Sequence, residues 1–264
     1  MNVKFLIIDP QNDFADPAGS LFVTGADKDS ERLAKLLNRL LTKIDSIHVT
    51  LDTHHFVDIA HPIFWMDNQG AHPEPFTLIT EEDILAGKWR TTRTDYQTRA
   101  LDYVKALHTN GRYTLTIWPP HCLIGQVGHN VVTPIMEVLN EWENTFATVD
   151  YVMKGMNKWT EHYSAIKADV PDVNDPATQL NLRLLEQLQE ADIIAISGQA
   201  LSHCVANTVR DIVNNLPTRE AINKMVLIED TSSPVSGFEP LAEQFLADMK
   251  ACGMQTVKST EFLV

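Results

Sequence analysis

The chain has 264 residues, 44% of them hydrophobic and 8% aromatic, with 21 Lys and Arg against 35 Asp and Glu for a formal net charge of -14. This length supports a sizeable core in one domain, 1–264, and the acidic balance argues against nucleic-acid and anionic-membrane partners, which need concentrated basic surface. No run approaches the ~18 apolar residues of a membrane span, and Met1 leads straight into an apolar strand, so a cytoplasmic protein is expected.

In chain order, short Val, Ile and Leu runs alternate with segments of helical period. That is the pattern of an α/β, doubly wound, mostly parallel sheet with helices on both faces. Strands are expected at 3–8, 47–51, 151–153, 192–197 and 225–228, with a weaker one at 254–257. Between the first two, residues 30–43 place Leu33, Leu36, Leu37, Leu40 and Leu41 at three-and-four spacing, an amphipathic crossover helix. The stretches 180–188, 206–213 and 241–249 repeat the pattern, and 170–176 reads as a surface loop. Residues 72–117 break the alternation, with no evident buried strand of their own. They carry two helical patterns, one starting at Thr80 and one built on Ala100, Leu101, Val104 and Leu107 and ended by Gly111. This helical elaboration, an insertion at about 73–117, is expected to cover the active-site edge or an oligomer contact and not to form a domain.

The chemistry-bearing residues share one position. Asp9, Asp52, Lys154 and the segment leading to Cys204 each follow a predicted strand, at the carboxyl edge where doubly wound sheets bind ligands. The three cysteines, Cys122, Cys204 and Cys252, are too few and too far apart for a disulfide framework or a four-cysteine zinc site. Cys204 falls in the first turn of a helix, where free N–H groups and the helix dipole favour thiolate, so a lowered pKa is expected. Cys252, before Gly253, reads as packing. Asp52 and His54, two apart in extended chain, face one side of the backbone as a metal half-site suited to Zn²⁺, Fe²⁺ or Mn²⁺. The third ligand would come from His55, His61, His72 or His121.

These residues resemble the nicotinamidase and isochorismatase-like cysteine hydrolases over most of the chain. The string Leu6-Ile7-Ile8-Asp9-Pro10-Gln11-Asn12-Asp13-Phe14 is similar to the family's opening strand and catalytic aspartate. Lys154-Gly155 with Tyr163-Ser164 resembles its lysine segment, and residues 198–205 its nucleophile segment. The resemblance implies a triad of Asp9, Lys154 and Cys204 and an oxyanion hole from the N–H groups of Ala200 and Cys204, with a cis peptide between Gln199 and Ala200. It also implies one divalent metal, Zn²⁺ first with Fe²⁺ or Mn²⁺ as alternatives, on Asp52, His54 and the His121 of Trp118-Pro119-Pro120-His121-Cys122. His61 is a candidate fourth ligand, and the rebuilt loop keeps His72 in view. Phe14 and Trp118 match the aromatic pair that holds a pyridine ring. Gln199, Leu201 and Ser202 depart from the family pattern, which usually has a small apolar residue, Thr and Asp there. They fall where specificity is set, and Gln199 joins the substrate-facing residues.

The implied activity is metal-assisted amide hydrolysis, releasing ammonia from a small heteroaromatic amide such as nicotinamide through a thioester, in a homo-oligomer. Three alternatives stay open. The chain could be a metal-independent amidase of the same fold acting on a carbamoyl or ureido compound, or a non-catalytic small-molecule binding protein. It could also be a hydrolase that uses only the Asp/His site.

Overall fold

The computed structural model describes residues 1–110, 113–216 and 218–264. Its strands are β1 (Val3–Ile8), β2 (Ser46–Asp52), β3 (Trp65–Met66), β4 (Leu78–Ile79), β5 (Arg90–Thr91), β6 (Leu115–Thr116), β7 (Asp150–Lys154), β8 (Ile193–Gly198), β9 (Met225–Ile228) and β10 (Gln255–Val257). Six of them form the central sheet in the order β10-β9-β8-β1-β2-β7, every pair parallel. The chain winds outward one way from β1 through β2 to β7, then crosses back and winds the other way through β8, β9 and β10. The order therefore reverses between β1 and β8, where the crossover helices leave toward opposite faces and open a crevice.

Composition explains the layout. Every residue of β1 is buried, as a central strand covered on both faces requires, and its sequence VKFLII is accordingly almost continuous apolar chain. The first crossover helix, Ala26–Leu40, buries Leu33, Leu36, Leu37 and Leu40 and packs against the helix Thr133–Glu143. It begins four residues before the expected 30, since Asp27 and Asp29 in its first turn complement the dipole. On the other face the helices Ala206–Asn215 and Glu239–Cys252 pack together. Arg39 donates to the backbone oxygens of Ser259 and Phe262, tying the C-terminal segment down. Among the described residues no helix is long and apolar enough to cross a membrane.

The elaboration corrects one expectation. It holds the helices Glu81–Leu85 and Gln97–Thr109, the first started by a capping box in which Thr80 Oγ accepts from Asp83 N–H. It is not purely helical, because β4 pairs antiparallel with β6 and β5 with β3. Two-residue strands are too short to show a period of two, so the pattern left no trace in the sequence. Ile79, Ile84, Ala100, Tyr103, Val104, Leu107 and Leu115 join the main core, so the segment has no separate core. The expected stop at Gly111 lies outside the described residues.

Candidate active site

Strand register alone brings the charged groups together. Asp52 and Lys154 are direct partners across β2 and β7, and Ile8 is paired with Gly198 across β1 and β8. Asp9 and Gln199 therefore leave neighbouring strands side by side. Gly198 has φ +114°, and a Cβ there would sit 2.0 Å from the Ile8 oxygen, so only glycine lets the two strands end this close.

Asp9 is fully buried, with φ +44°. Its N–H donates to Thr50 Oγ1 at 3.0 Å, and the Thr50 hydroxyl donates to Asp9 Oδ1. Lys154 Nζ stands 2.9 Å from Asp9 Oδ2, 3.0 Å from Asp52 Oδ1 and 3.7 Å from Cys204 Sγ. The contact with Asp9 is a buried, charge-assisted ion pair. Burial raises the Asp9 pKa, and the Lys154 charge only partly offsets it. Burial works against the Lys154 ammonium too, but Asp52 and Asp9 overcome it and hold its pKa well above the ordinary value.

Cys204 lies in Leu201–Val205, a wide π-type turn that opens the helix Ala206–Asn215. The helix-start position is as expected, but the thiol pKa is not lowered. Burial pushes it well up, and Lys154 only counters this. A helix terminus acts on the thiolate weakly beside the cost of desolvating it. Cys204 thus rests as a thiol, with Asp9 beside it as a proton acceptor. The Gln199–Ala200 peptide is cis, and Ala200 N–H bonds no acceptor among the described residues.

On the other side of Lys154, Asp52 Oδ2 lies 3.1 Å from His54 Nε2 and 3.5 Å from His121 Nε2. These three ligand atoms lie within 4.8 Å of one another. His61 stands beside them, its ring 5.3 Å from that of His54 and 5.6 Å from that of His121. All three imidazoles are anchored by Nδ1: His54 to Asp58 Oδ2 at 3.2 Å, His121 to the Pro119 oxygen at 2.9 Å and His61 to the Phe56 oxygen at 3.2 Å. Oxygen acceptors at Nδ1 fix that nitrogen as the N–H side of each ring, so each Nε2 can ligate a metal once any proton it shares with Asp52 is displaced. His61 Nε2 is buried with no hydrogen-bond partner. Burial disfavours both charges at the Asp52–His54 contact. Even so, Lys154 and His54 hold Asp52 well below the carboxylate range, and Asp52 and Asp58 hold His54 well above the imidazole range. The donor set thus takes up a proton where a cation would sit, and the residues fit a divalent metal. His72 does not join them. It is exposed, with Nδ1 bonded to the Trp65 oxygen at 2.6 Å, because β3 carries it away from the sheet edge.

Both groups face one narrow cleft of about 20 Å³, walled by Phe14, Leu21, Trp118, Tyr163, His203 and Val235. Phe14 lies against His121 with ring centres 5.4 Å apart, and Trp118 Nε1 donates to the Tyr163 hydroxyl at 2.8 Å. Gln199 is a correction. Its Nε2 donates to Asp29 Oδ2 and its Oε1 accepts from Ser233 N–H, so its amide is consumed behind the loop and it does not line the cleft. A larger groove of about 630 Å³, lined by His55, Phe56, Val57, Met156, Lys158 and Trp159, holds none of Asp9, Asp52, His54, His121, Lys154 and Cys204.

Sequence reasoning assigned no role to Gln11, which is fully buried. Its Nε2 donates to the Asp52 oxygen and its Oε1 accepts Asp52 N–H, each at 2.7 Å. Asp13 also went unassigned. Its Oδ2 accepts Cys122 N–H at 2.6 Å and so holds the turn after His121. The available signal was a polar run, residues 9–13, following a fully apolar strand. Asp58 and Glu161 form a further buried cluster with His54, and burial raises Glu161 to about 8.

No protein-family model and no curated protein matches the sequence. Solved structures do. A nicotinamidase/pyrazinamidase from Acinetobacter baumanii superposes with TM-score 0.65 at 21% identity, covering 99% of this chain and 98% of that one. The yeast nicotinamidase gives TM-score 0.67 at 21% identity, covering 97% and 99%. The pyrazinamidase of Pyrococcus horikoshii in complex with zinc gives 0.58 at 17%, covering 98% and 99%. The chain therefore has the fold of these proteins over its whole length.

Proposed function

We propose that the chain is a metal-assisted cysteine amidohydrolase of the nicotinamidase kind, converting a small heteroaromatic amide to its acid and ammonia. The observation that carries this reading is the meeting of the Asp9, Lys154 and Cys204 group with the Asp52, His54 and His121 group around one aromatic-walled cleft. The structural likeness to nicotinamidases and pyrazinamidases supports it.

Asp9, held beside the thiol by Lys154, takes the thiol proton as Cys204 Sγ bonds to the amide carbon. Ala200 and Cys204 N–H groups receive the developing oxyanion, each worth about 3 kcal/mol in comparable sites. The C–N bond breaks as Asp9 returns the proton to the leaving ammonia, leaving a thioester. Water then attacks, Asp9 takes its proton, and the carboxylic acid departs as the thiol re-forms. Lys154 keeps one positive charge beside whichever of Asp9 and Cys204 is ionised. Asp52, His54 and His121 would hold the metal, Zn²⁺ first with Fe²⁺ or Mn²⁺ as alternatives and His61 as candidate fourth ligand. When bound, it supplies a Lewis acid for the substrate's ring nitrogen.

The same reading takes 1–264 as one hydrolase domain and its compartment as the cytoplasm, where three free cysteines are at home. It takes the assembly as a homo-oligomer, with exposed Phe56, Val57 and Met156 as apolar surface for it. The test is ammonia release from a panel of amides together with metal analysis. Cys204→Ala should abolish turnover, and His54→Ala or His121→Ala should lose both metal and turnover. Full activity in metal-free protein, or rapid hydrolysis of a linear ureido compound with none of nicotinamide, overturns the reading.

A further inference from the structure

His203 precedes Cys204 and lines the cleft. Its ring is packed edge-on against Trp118 at 5.3 Å and Phe238 at 4.9 Å, and tilted against Tyr163 at 5.3 Å. Burial lowers its pKa to about 4, so the ring is neutral at pH 7 and carries one N–H. The neighbours decide which nitrogen holds it. Nδ1 lies 2.9 Å from Ser202 Oγ, and that oxygen accepts Val235 N–H at 3.0 Å. With the proton on Nδ1, Ser202 would receive two N–H groups, its own hydroxyl proton would find no acceptor among the described residues, and Nε2 would be a bare lone pair. With the proton on Nε2, Ser202 O–H donates to Nδ1 and only Nε2–H is left unmatched. Nε2 has no hydrogen-bond partner among the described residues and is not sealed from the cleft.

This polarity belongs to Ser202. An aspartate, which the resembling family usually has at this position, would accept from Nδ1–H and present Nε2 as an acceptor.

We propose that His203 is a specificity-determining residue whose Nε2–H selects heteroaromatic amides with a second hydrogen-bond acceptor, a ring nitrogen or small oxygen substituent beside the carboxamide. This rests on the amidohydrolase reading above. His203 and Cys204 are chain neighbours and both line the cleft. Phe14 lies against His121 on the metal-group side, and Trp118 lies against His203 on the Cys204 side. A carboxamide attacked by Cys204 therefore brings an acceptor next to it within the part of the cleft that His203 lines. A substrate without one leaves a buried N–H unpaired, which should cost about 10- to 100-fold in kcat/KM.

The test uses metal-loaded protein and two amides, pyridine-3-carboxamide and pyrazine-2-carboxamide, which differ by one ring nitrogen beside the carboxamide. The ratio of their kcat/KM values should favour the pyrazine amide about 10- to 100-fold more in the wild type than in His203→Phe or Ser202→Asp, and comparison with the variants removes the intrinsic difference in amide reactivity. Long-range ¹H–¹⁵N spectra of histidine-labelled protein, with His203 assigned by its loss in His203→Phe, should show the Nε2–H tautomer in the wild type and Nδ1–H in Ser202→Asp. An Nδ1–H tautomer in the wild type overturns the proposal, as does turnover of both amides at a ratio that His203→Phe does not move. Absence of Cys204-dependent turnover of either amide overturns the amidohydrolase reading and the proposal with it.

Discussion

Replacing Lys154 by Met removes the one ammonium shared by Asp9, Asp52 and Cys204 while keeping the side chain's length and apolar stem. At 3.7 Å and an effective dielectric of about 20, that charge stabilises a Cys204 thiolate by about 4 kcal/mol. Removing it also leaves two buried carboxylates without their partner at 2.9 and 3.0 Å. One of them then takes up a proton, which returns part of the loss. The thiolate population at neutral pH should therefore fall by roughly 10- to 1000-fold. Iodoacetamide labelling of Cys204, followed by peptide mass spectrometry from pH 6 to 9, reads this directly, and the profile should move to higher pH. Stability should drop by about 3–5 kcal/mol, the usual cost of a broken buried ion pair. The sign of its pH dependence follows from Asp52. In the wild type, burial opposes its charge but Lys154 and His54 hold it well below the usual range, and that stability is lost as pH falls. In the variant, burial acts with less opposition, so the folded state binds a proton that the unfolded chain has released, and stability is lost as pH rises. The Tm deficit of the variant should be larger at pH 8 than at pH 5. A labelling profile that overlays the wild type, or a deficit independent of pH, would refute this account.

Gln11→Leu should strip the clamp from the Asp52 backbone, costing about 1–3 kcal/mol and weakening metal binding roughly 10- to 100-fold. Thermal unfolding and a chelator competition titration check it, and unchanged metal retention counts against a positioning role. Gly198→Ala places a Cβ 2.0 Å from the Ile8 oxygen at φ +114°, so it should destabilise by more than about 3 kcal/mol or fail to fold; a Tm within a few degrees of wild type would show that the strand ends can separate freely. Metal-free His54 holds its proton well above the ordinary imidazole range, so Zn²⁺ must displace it. Zinc should therefore raise Tm more at pH 8 than at pH 5.5, and calorimetry in buffers of different ionisation enthalpy should show proton release; identical heats in all buffers would contradict this.

Much of the active-site edge was legible because strand ends are local events. An apolar run that stops at Asp9, Asp52 or Lys154 announces a polar residue at a carboxyl edge whatever the remainder of the chain does, and the two-residue spacing of Asp52 and His54 sets their common side. The helix carrying Cys204 was readable for the same reason, through the apolar face of Val205, Val209 and Ile212. Electrostatics was not, since a thiol's pKa depends on how much water the folded chain removes, and the Cys204 shift came out opposite to its helix-start expectation.

Composition and periodicity by themselves determined the alternating architecture, the crossover helices and which residues end the strands, because these follow from side-chain chemistry within one turn or one strand. Only the tertiary structure decided the rest. The reversal of strand order between β1 and β8 brought Asp9 beside the Cys204 loop, and the β2–β7 register set Lys154 between two carboxylates. The fold turned Gln199 toward Asp29, carried His72 away and made Gln11 the clamp on Asp52. Each of these pairings joins residues dozens to more than a hundred positions apart, or turns one away from its expected partner, and no local preference encodes which of many such encounters the packed core will keep.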